Sequence, residues 1–277
     1  MNGDLLGRYE ELPYPPARTA GVDLFRLAKG KHYVPVLLEI DVTAARSALQ
    51  RHAQEGDDLS FTAWVTKCVA RAAGEHRRVH ALRRGHRKLV VFDDVDIALA
   101  VYRRLADDES DERLPMPFVL RKANEKSVAA ISAEVRHAQR LPLGPGEQIL
   151  DAQGFAPPPW LLPLAFRTPF RLRKWLYWDR LLSSPGRFKE TMGTVVVTSV
   201  PLASRSGAGG WGIPIAVHPL VVAIGAIGRR PGFAGESVEP RDVLSLTVMF
   251  DHEVADGVPV ALFLKRLTQL METAFEL

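Results

Sequence analysis

The chain carries the stretch SLTVMFDHEVADG at residues 245–257, in which an apolar run ends at a histidine. The apolar and β-branched residues from Val243 to Phe250 predict a buried strand. His252 follows that strand, and Asp256 lies four residues later, where the next helix is expected to begin. A histidine fixed at a strand end can act as a general base, because imidazole titrates near neutral pH. The chain has eight histidines, so a purely structural histidine is the alternative.

Outward from this stretch, strand and helix patterns alternate along the chain. Val34 to Ile40 predicts a strand, and the apolar spacing after Phe61 predicts a helix capped by Ser60. Asn124 is expected to cap a further helix that turns Val128 inward. The other predicted elements are a helix from Asp41-Val42-Thr43 towards His52, strands at Leu89 to Phe92 and Val95 to Val101 around an Asp93-Asp94 turn, strands at Thr194 to Val200 and Leu220 to Ile227, and a helix from Val258 to Ala274. This order indicates a mixed α/β fold with a large central sheet, in a single domain over residues 1–277.

Composition excludes several classes of protein. The chain has 277 residues, of which 47% are apolar and 25% charged, so it can bury enough surface to exclude disordered and collagen-like classes. Its net charge of +4 is too small for a concentrated nucleic-acid-binding face, so no nucleic acid partner is expected. Cys68 is the only cysteine, and the N-terminus lacks the basic start and apolar run of a signal peptide, so a cytoplasmic location is expected.

The chain resembles the catalytic domain of the dihydrolipoyl acyltransferases, the core subunits of 2-oxoacid dehydrogenase complexes, and more distantly chloramphenicol acetyltransferase. Four phrases in the family's order carry the resemblance. The most informative is the motif H-x-x-x-D-G, which residues 252–257 match. The other three are EIDVT at residues 39–43, FDDVDIALAV at residues 92–101 and KSVAAI at residues 126–131. The resemblance extends from about Arg18 to the C-terminus.

This resemblance implies an α/β two-layer sandwich of the chloramphenicol acetyltransferase-like type, with a mixed central sheet and helices mainly on one face. It also implies a homotrimer, or a higher assembly of trimers, with the active site between subunits. His252 would come from one chain and Thr198 from its neighbour, so an isolated monomer is expected to be inactive.

The activity implied is the transfer of an acyl group between coenzyme A and an acceptor, either a dihydrolipoyl-like thiol or a hydroxyl. His252 would remove the proton of the acceptor, and the Thr198 hydroxyl would stabilise the oxyanion. Ser199 is the fallback for Thr198, because adjacent strand residues point to opposite faces. Coenzyme A or acyl-coenzyme A is expected as substrate, with no tightly bound cofactor and no metal.

Roles in the site are implied for four other residues, of which Asp256 counts as catalytic together with His252 and Thr198. Asp256 and Gly257 complete the motif, and the Asp256 carboxylate would support the active-site loop by pairing with an arginine near the N-terminus. Arg18 is the candidate for that arginine, and an ordinary surface arginine is the alternative. Asp251 would be a structural neighbour of the base.

Residues 141–192 have no counterpart of this length and character in the family, and we interpret them as an insertion. The sequence FRTPFRLRKWLYW at residues 166–178 interleaves basic and aromatic side chains. Such a pattern suits a membrane surface at about residues 160–180, a coenzyme A phosphate or a partner helix. An insertion packed against its own domain is the alternative. The glycine-rich residues 206–212 are expected to form a flexible turn and not a phosphate-binding loop, since no helix follows them.

Two further departures from the family leave alternatives open. Glu253 stands where the family usually has an arginine, and no lipoyl or peripheral subunit-binding domain precedes the catalytic phrases. A noncatalytic trimeric scaffold, which binds a partner or a membrane through the insertion, is therefore an alternative to the enzyme. A further alternative is a core subunit that receives a lipoylated carrier protein encoded by another polypeptide.

Overall fold

Eight strands are present in the part of the chain that the structure describes. The computed structural model describes residues 7, 9–11, 16–104, 113–141, 167–200 and 209–277, without the side chains of residues 16–18, 103–104, 113–115 and 234. The strands are β1 (Tyr33–Asp41), β2 (Leu82–Arg84), β3 (Lys88–Val90), β4 (Ile97–Arg104), β5 (Arg113–Leu120), β6 (Val195–Ser199), β7 (Leu220–Ala234) and β8 (Ser237–Asp251). Six of them form one mixed sheet in the order β1-β8-β7-β6-β4-β5, and β2 and β3 pair with each other.

Strand β8 lies second in the sheet, between the edge strand β1 and β7. β8 runs antiparallel to both neighbours, with Asp251 opposite Tyr33 of β1 and Phe250 opposite Leu220 of β7. β6 lies parallel to β4 and β7, which makes the sheet mixed as expected. The β7 and β8 strands extend past the sheet as a long hairpin, so each is longer than its apolar run predicts.

Four helices cover one face of the sheet. They are α2 (Thr43–Glu55), α3 (Phe61–Glu75), α4 (Val128–Arg140) and α8 (Gly257–Glu272). Their apolar faces meet alternate strand residues in a core whose largest fully buried side chains include Trp64, Phe263, Ile97 and Leu246. The buried contacts confirm the predicted α/β sandwich with helices mainly on one face. Helix α3 begins at Phe61 with the Ser60 hydroxyl accepting from the Ala63 amide, as predicted.

The remaining helices lie towards the other face. They are α1 (Pro16–Ala28), α5 (Phe170–Arg173), α6 (Asp179–Leu182) and α7 (Pro185–Met192), with a π-helical turn at Lys174–Trp178 between α5 and α6. A second apolar cluster joins α1 to these segments through Ala20, Ala28, Trp178, Leu181 and Phe188. None of the described helices combines the length and the apolar character that crossing a membrane requires.

A buried ion pair fixes α1 to the π-helical turn. The Asp23 carboxylate accepts from Nε and Nη2 of Arg173 at 2.7 and 2.8 Å, and from Nε1 of Trp178 at 3.2 Å. All three residues are buried. The described part of the interpreted insertion is therefore packed against the protein at these residues, although Trp175 remains 62% exposed.

Two local predictions are wrong. Asn124 does not cap α4, because its side-chain oxygen accepts from the Val95 amide at 2.9 Å and Ser127 supplies the cap instead. The strand predicted around Leu89 does not pair with the strand that follows it. It forms β3, which pairs with β2, because the chain between β3 and β4 bends away and does not close a hairpin.

Candidate active site

His252 lies in the turn that joins strand β8 to helix α8. Its backbone amide donates to the His32 carbonyl at 2.9 Å, which continues the pairing of β8 with the chain just before β1. The side chain is exposed, and its ring centroid lies 6.1 Å from that of Phe250. No hydrogen bond to the imidazole is found among the described residues. The ring is therefore accessible to a substrate or to another chain.

Asp251 is a buried structural neighbour of the candidate base, as predicted. Its carboxylate accepts from Lys31 Nζ at 2.8 Å and lies completely out of solvent. Burial, with the negative charge of Asp251, raises the pKa of the Tyr33 phenol. That phenol stays protonated and donates towards the carbonyls of His218, at 2.6 Å, and Ala216, at 3.0 Å. These contacts fix the start of β1 against the residues that precede β7.

Asp256 lies at the N-terminus of α8, and Gly257 is the first residue of that helix. The Asp256 side chain is exposed and makes no capping hydrogen bond to α8. A carboxylate at this end is favoured by the helix dipole. Arg18 lies in α1, but its side chain is outside the described residues, so its pairing with Asp256 stays a prediction.

Thr198 lies on β6 and lines an apolar pocket of about 320 Å³ on the sheet face opposite the main core. Its strand neighbours Val195 and Val197 point into the core, so Thr198 and Val196 point the other way. Ser199 is exposed at the strand end and does not line this pocket. The pocket is lined by Leu24, Phe25, Ala98, Ala100, Pro117, Met192, Val196, Thr198, Pro214, Ile215, Ala216, Val217 and His218. The structure thus places the Thr198 residue, and not Ser199, beside a cavity.

The sheet register separates Thr198 from His252 of the same chain. Thr198 pairs with Ala223 on β7, and Ala223 pairs with Thr247 on β8. His252 lies five residues beyond Thr247 and two strands away from β6. With a rise of ~3.3 Å per residue and ~4.8 Å between strands, the two backbones are about 19 Å apart. One chain therefore does not bring both side chains to the same reacting carbon.

The structure adds contacts to the site that the sequence did not indicate. Glu253 Oε1 lies 2.8 Å from His32 Nδ1, and its other oxygen accepts from Arg83. These hydrogen bonds lower the pKa of the Glu253 carboxyl, and the bond with His32 has the larger effect. No periodic pattern connects positions so far apart in sequence, so no signal in the chain could have identified them.

Other candidate features lie outside these residues. In the glycine-rich stretch, residues 206–208 are outside the described part of the chain, and the Gly210 amide donates to the Ser245 hydroxyl at 3.2 Å. His52, Glu55 and Asp57 bring three ligand atoms within 4.8 Å of one another at the end of α2. Glu55 and Asp57 are exposed, and none of the three belongs to the predicted site.

Comparison with known proteins gives one family. The family model of the 2-oxoacid dehydrogenases acyltransferase (catalytic domain) matches residues 17–141 and 206–277, which include His252, Asp256 and Gly257. Thr198 and Ser199 lie in the unmatched part between these ranges.

Individual relatives agree with this match. The lipoamide acyltransferase component of the branched-chain alpha-keto acid dehydrogenase complex of Bacillus subtilis (strain 168) is 22% identical over 96% of this chain, which spans about half (53%) of that relative's length. A dihydrolipoamide acetyltransferase structure from Azotobacter vinelandii has a TM-score of 0.62 at 19% identity, covering 98% of this chain and 95% of that one. The work on that enzyme addresses the role of a serine, a histidine and an asparagine in its catalytic mechanism. The cubic core of a pyruvate dehydrogenase multienzyme complex has a TM-score of 0.63 at 18% identity, covering 98% of this chain and 95% of that one.

These structures share the fold of this chain, and the family model covers well over half of its residues. The chain belongs to the family of 2-oxoacid dehydrogenase acyltransferase catalytic domains.

Proposed function

We propose that the protein is an acyltransferase that moves an acyl group between coenzyme A and the thiol of a dihydrolipoyl group. The observation that carries this proposal is the family match over residues 206–277, in which His252 directly follows strand β8. The name of the Bacillus relative supports a dihydrolipoyl thiol over a hydroxyl acceptor. The match also favours an enzyme over the noncatalytic scaffold.

In the proposed reaction, His252 accepts the proton of the acceptor thiol as the sulfur attacks the thioester carbonyl carbon of acyl-coenzyme A. The carbonyl oxygen becomes an oxyanion, which receives a hydrogen bond from the Thr198 hydroxyl. When the intermediate collapses, the bond to the coenzyme A sulfur breaks and His252 returns the proton to that sulfur. Atoms and charge balance without a metal or a redox cofactor, and coenzyme A enters only as a substrate.

Within this proposal, the active site forms between chains of a homotrimer. The separation of about 19 Å within one chain supports this arrangement, because both groups must lie within hydrogen-bond reach of one tetrahedral intermediate. The exposed imidazole of His252 supports it as well. The cubic core among the structural relatives supports a higher assembly of such trimers.

Residues 1–277 are proposed to act as one catalytic domain with a chain-specific insertion at about residues 141–192. The gap in the family match, residues 142–205, supports this division. Two alternatives were open for the insertion: packing against its own domain, or a membrane-binding surface at residues 160–180. Burial of Arg173 and Trp178 supports the first. A lipoylated carrier protein is the proposed macromolecular partner, and the buried free thiol of Cys68 supports a reducing, cytoplasmic location.

The test is turnover of acetyl- and isobutyryl-coenzyme A with dihydrolipoamide, followed by chromatographic separation of the free coenzyme A and S-acyldihydrolipoamide that form. We expect His252→Ala to lower turnover by at least ~10²-fold, because general-base catalysis contributes about that much. His137→Ala, at an exposed position on α4, is the matched control and keeps wild-type turnover. Equal rates for wild type and His252→Ala would refute the assigned role. A wild-type protein without turnover of either thioester would favour the scaffold.

A further inference from the structure

The turn that carries His252 is anchored through the residues on both sides of it. On one side, the buried Asp251 carboxylate accepts from Lys31 Nζ at 2.8 Å and from the Glu253 amide at 3.2 Å. The Asp251 carbonyl accepts from the Val254 amide at 2.9 Å, which closes the turn. This anchor ties the strand side of the turn to the residues before β1.

On the other side, the Glu253 carboxylate joins two separate elements. Its Oε1 lies 2.8 Å from Nδ1 of His32, and its Oε2 accepts from a guanidinium nitrogen of Arg83. His32 precedes β1, and Arg83 lies in β2. A carboxylate only accepts hydrogen bonds, so His32 donates from Nδ1 in this contact. The two-stranded β2–β3 sheet is therefore linked to the His252 turn through one side chain.

His32 also holds the candidate base itself. Its backbone carbonyl accepts from the His252 amide at 2.9 Å, while its ring bonds the next residue, Glu253. His252 and Glu253, which are adjacent in the turn, are thus both hydrogen-bonded to His32. The His252 imidazole makes no hydrogen bond to any described residue, and beside its ring contact with Phe250 it is placed by this backbone.

Stability alone does not account for this network. Glu253, Arg83 and His32 have side chains that are 32%, 39% and 74% exposed, and ion pairs at such exposure contribute only about 0–1 kcal/mol. Glu75 provides a comparison within the same chain. Its carboxylate also bonds two side chains, Arg71 and Arg266, at 31% exposure, but it lies on α3.

We propose that Glu253, with His32 and Arg83, is a positioning residue that fixes the backbone of the His252 turn and so aims the imidazole at the acceptor thiol. This inference rests on the proposed acyl transfer. Glu253 touches no reacting atom, and it acts through the two neighbours that hold the turn. An arginine at position 253 would meet the Arg83 guanidinium with like charge, so Arg83 and Glu253 form a matched pair in this chain.

The first test measures turnover of acetyl-coenzyme A with dihydrolipoamide in the assembled protein. We expect Glu253→Ala to lower kcat about tenfold with KM changed less than about twofold, because a small displacement of a catalytic group costs rate more than binding. Glu253→Gln, which keeps an acceptor oxygen, should recover part of kcat. Combining Glu253→Arg with Arg83→Glu should restore kcat relative to Glu253→Arg alone, whereas a generally destabilised turn would not respond to charge reversal.

The matched control is Glu75→Ala, which removes an equally exposed, doubly bonded carboxylate from α3 and leaves kcat unchanged. A second measurement, amide hydrogen exchange at residues 252 and 253, does not depend on activity. Exchange should become faster in Glu253→Ala and stay unchanged in Glu75→Ala. Wild-type kcat in Glu253→Ala, or unchanged exchange at these amides, would overturn the proposal. The wild-type protein could show no turnover while Glu253→Ala still speeds amide exchange at residues 252 and 253. That result would overturn the acyl-transfer function and leave the anchoring of the turn in place.

Discussion

His80 and His218 differ from His252 in burial, and that difference separates their chemistry. His80 Nδ1 lies 3.0 Å from the Thr194 hydroxyl, and His218 Nε2 lies 2.9 Å from the Met192 carbonyl. Burial lowers the pKa of each imidazole to about 4. Both are therefore neutral and weakly basic at pH 7, which makes them poor general bases. The His252 imidazole, in contrast, is exposed and accessible to a substrate.

His80 predicts a measurable pH dependence of stability. Its pKa is about 4 in the folded chain against 6.5 as the ordinary value, so the unfolded chain binds one more proton between these limits. The free energy of unfolding should therefore fall as pH decreases through this window, by about 1.4 kcal/mol per pH unit for this proton. His80→Asn removes the titration and keeps a side-chain donor for Thr194. Urea unfolding from pH 7 to 4.5 should give a shallower slope for the variant by this amount. Identical slopes would contradict the assignment.

At the residue scale, the sequence supplies candidate site residues through its resemblance to the family, and it misses the residues that support them. His252, Asp256 and Gly257 form one short motif, and Thr198 stands in a strand-like phrase, so each can be named without a structure. Lys31, His32 and Arg83 reach the turn from positions between 170 and 221 residues away. Such contacts depend on the sheet order and leave no periodicity in the chain.

At the scale of elements, helices and strands with a clear apolar period are predicted well. α3 has an unbroken apolar face and a serine cap, and it begins where its sequence indicates. Asn124 and Ser127 both suit the start of α4, so the sequence alone does not distinguish them, and the contact of Asn124 with Val95 leaves Ser127 as the cap. α1 and the π-helical turn were not predicted, since their helices are stabilised largely by contact with each other.

The Asp23–Arg173 pair predicts how strongly these elements depend on each other. Asp23→Leu leaves a buried guanidinium without its carboxylate and the Trp178 indole without its acceptor, so unfolding free energy should fall by about 3–5 kcal/mol. The double variant Asp23→Leu with Arg173→Met removes the charge as well and should recover much of this loss. Chemical denaturation of the single and double variants measures both. An Asp23→Leu protein as stable as wild type would show that the pair does not hold α1 to the turn.

At the scale of the whole molecule, the sheet decides where the proposed site can form. β6 and β8 belong to the same sheet, and their register keeps Thr198 and His252 apart in any one chain. In the proposed function, the fold therefore places each half of the site at a different position in the chain. A closed ring of three chains, each contributing one half to its neighbour, joins the halves three times over.

Mixed trimers test this arrangement directly. His252→Ala and Thr198→Val should each lose about 10²-fold or more in turnover when pure, because each removes one half of every site. The two variants are then unfolded together and refolded as a 1:1 mixture. About a quarter of the interfaces should then pair an intact His252 with an intact Thr198 from the neighbouring chain. Turnover should therefore rise to about a quarter of wild type. The double variant His252→Ala with Thr198→Val, mixed with itself in the same way, should stay inactive and controls for refolding. If the site lay within one chain, every chain in the mixture would carry a defect, and turnover would remain at the level of the pure variants.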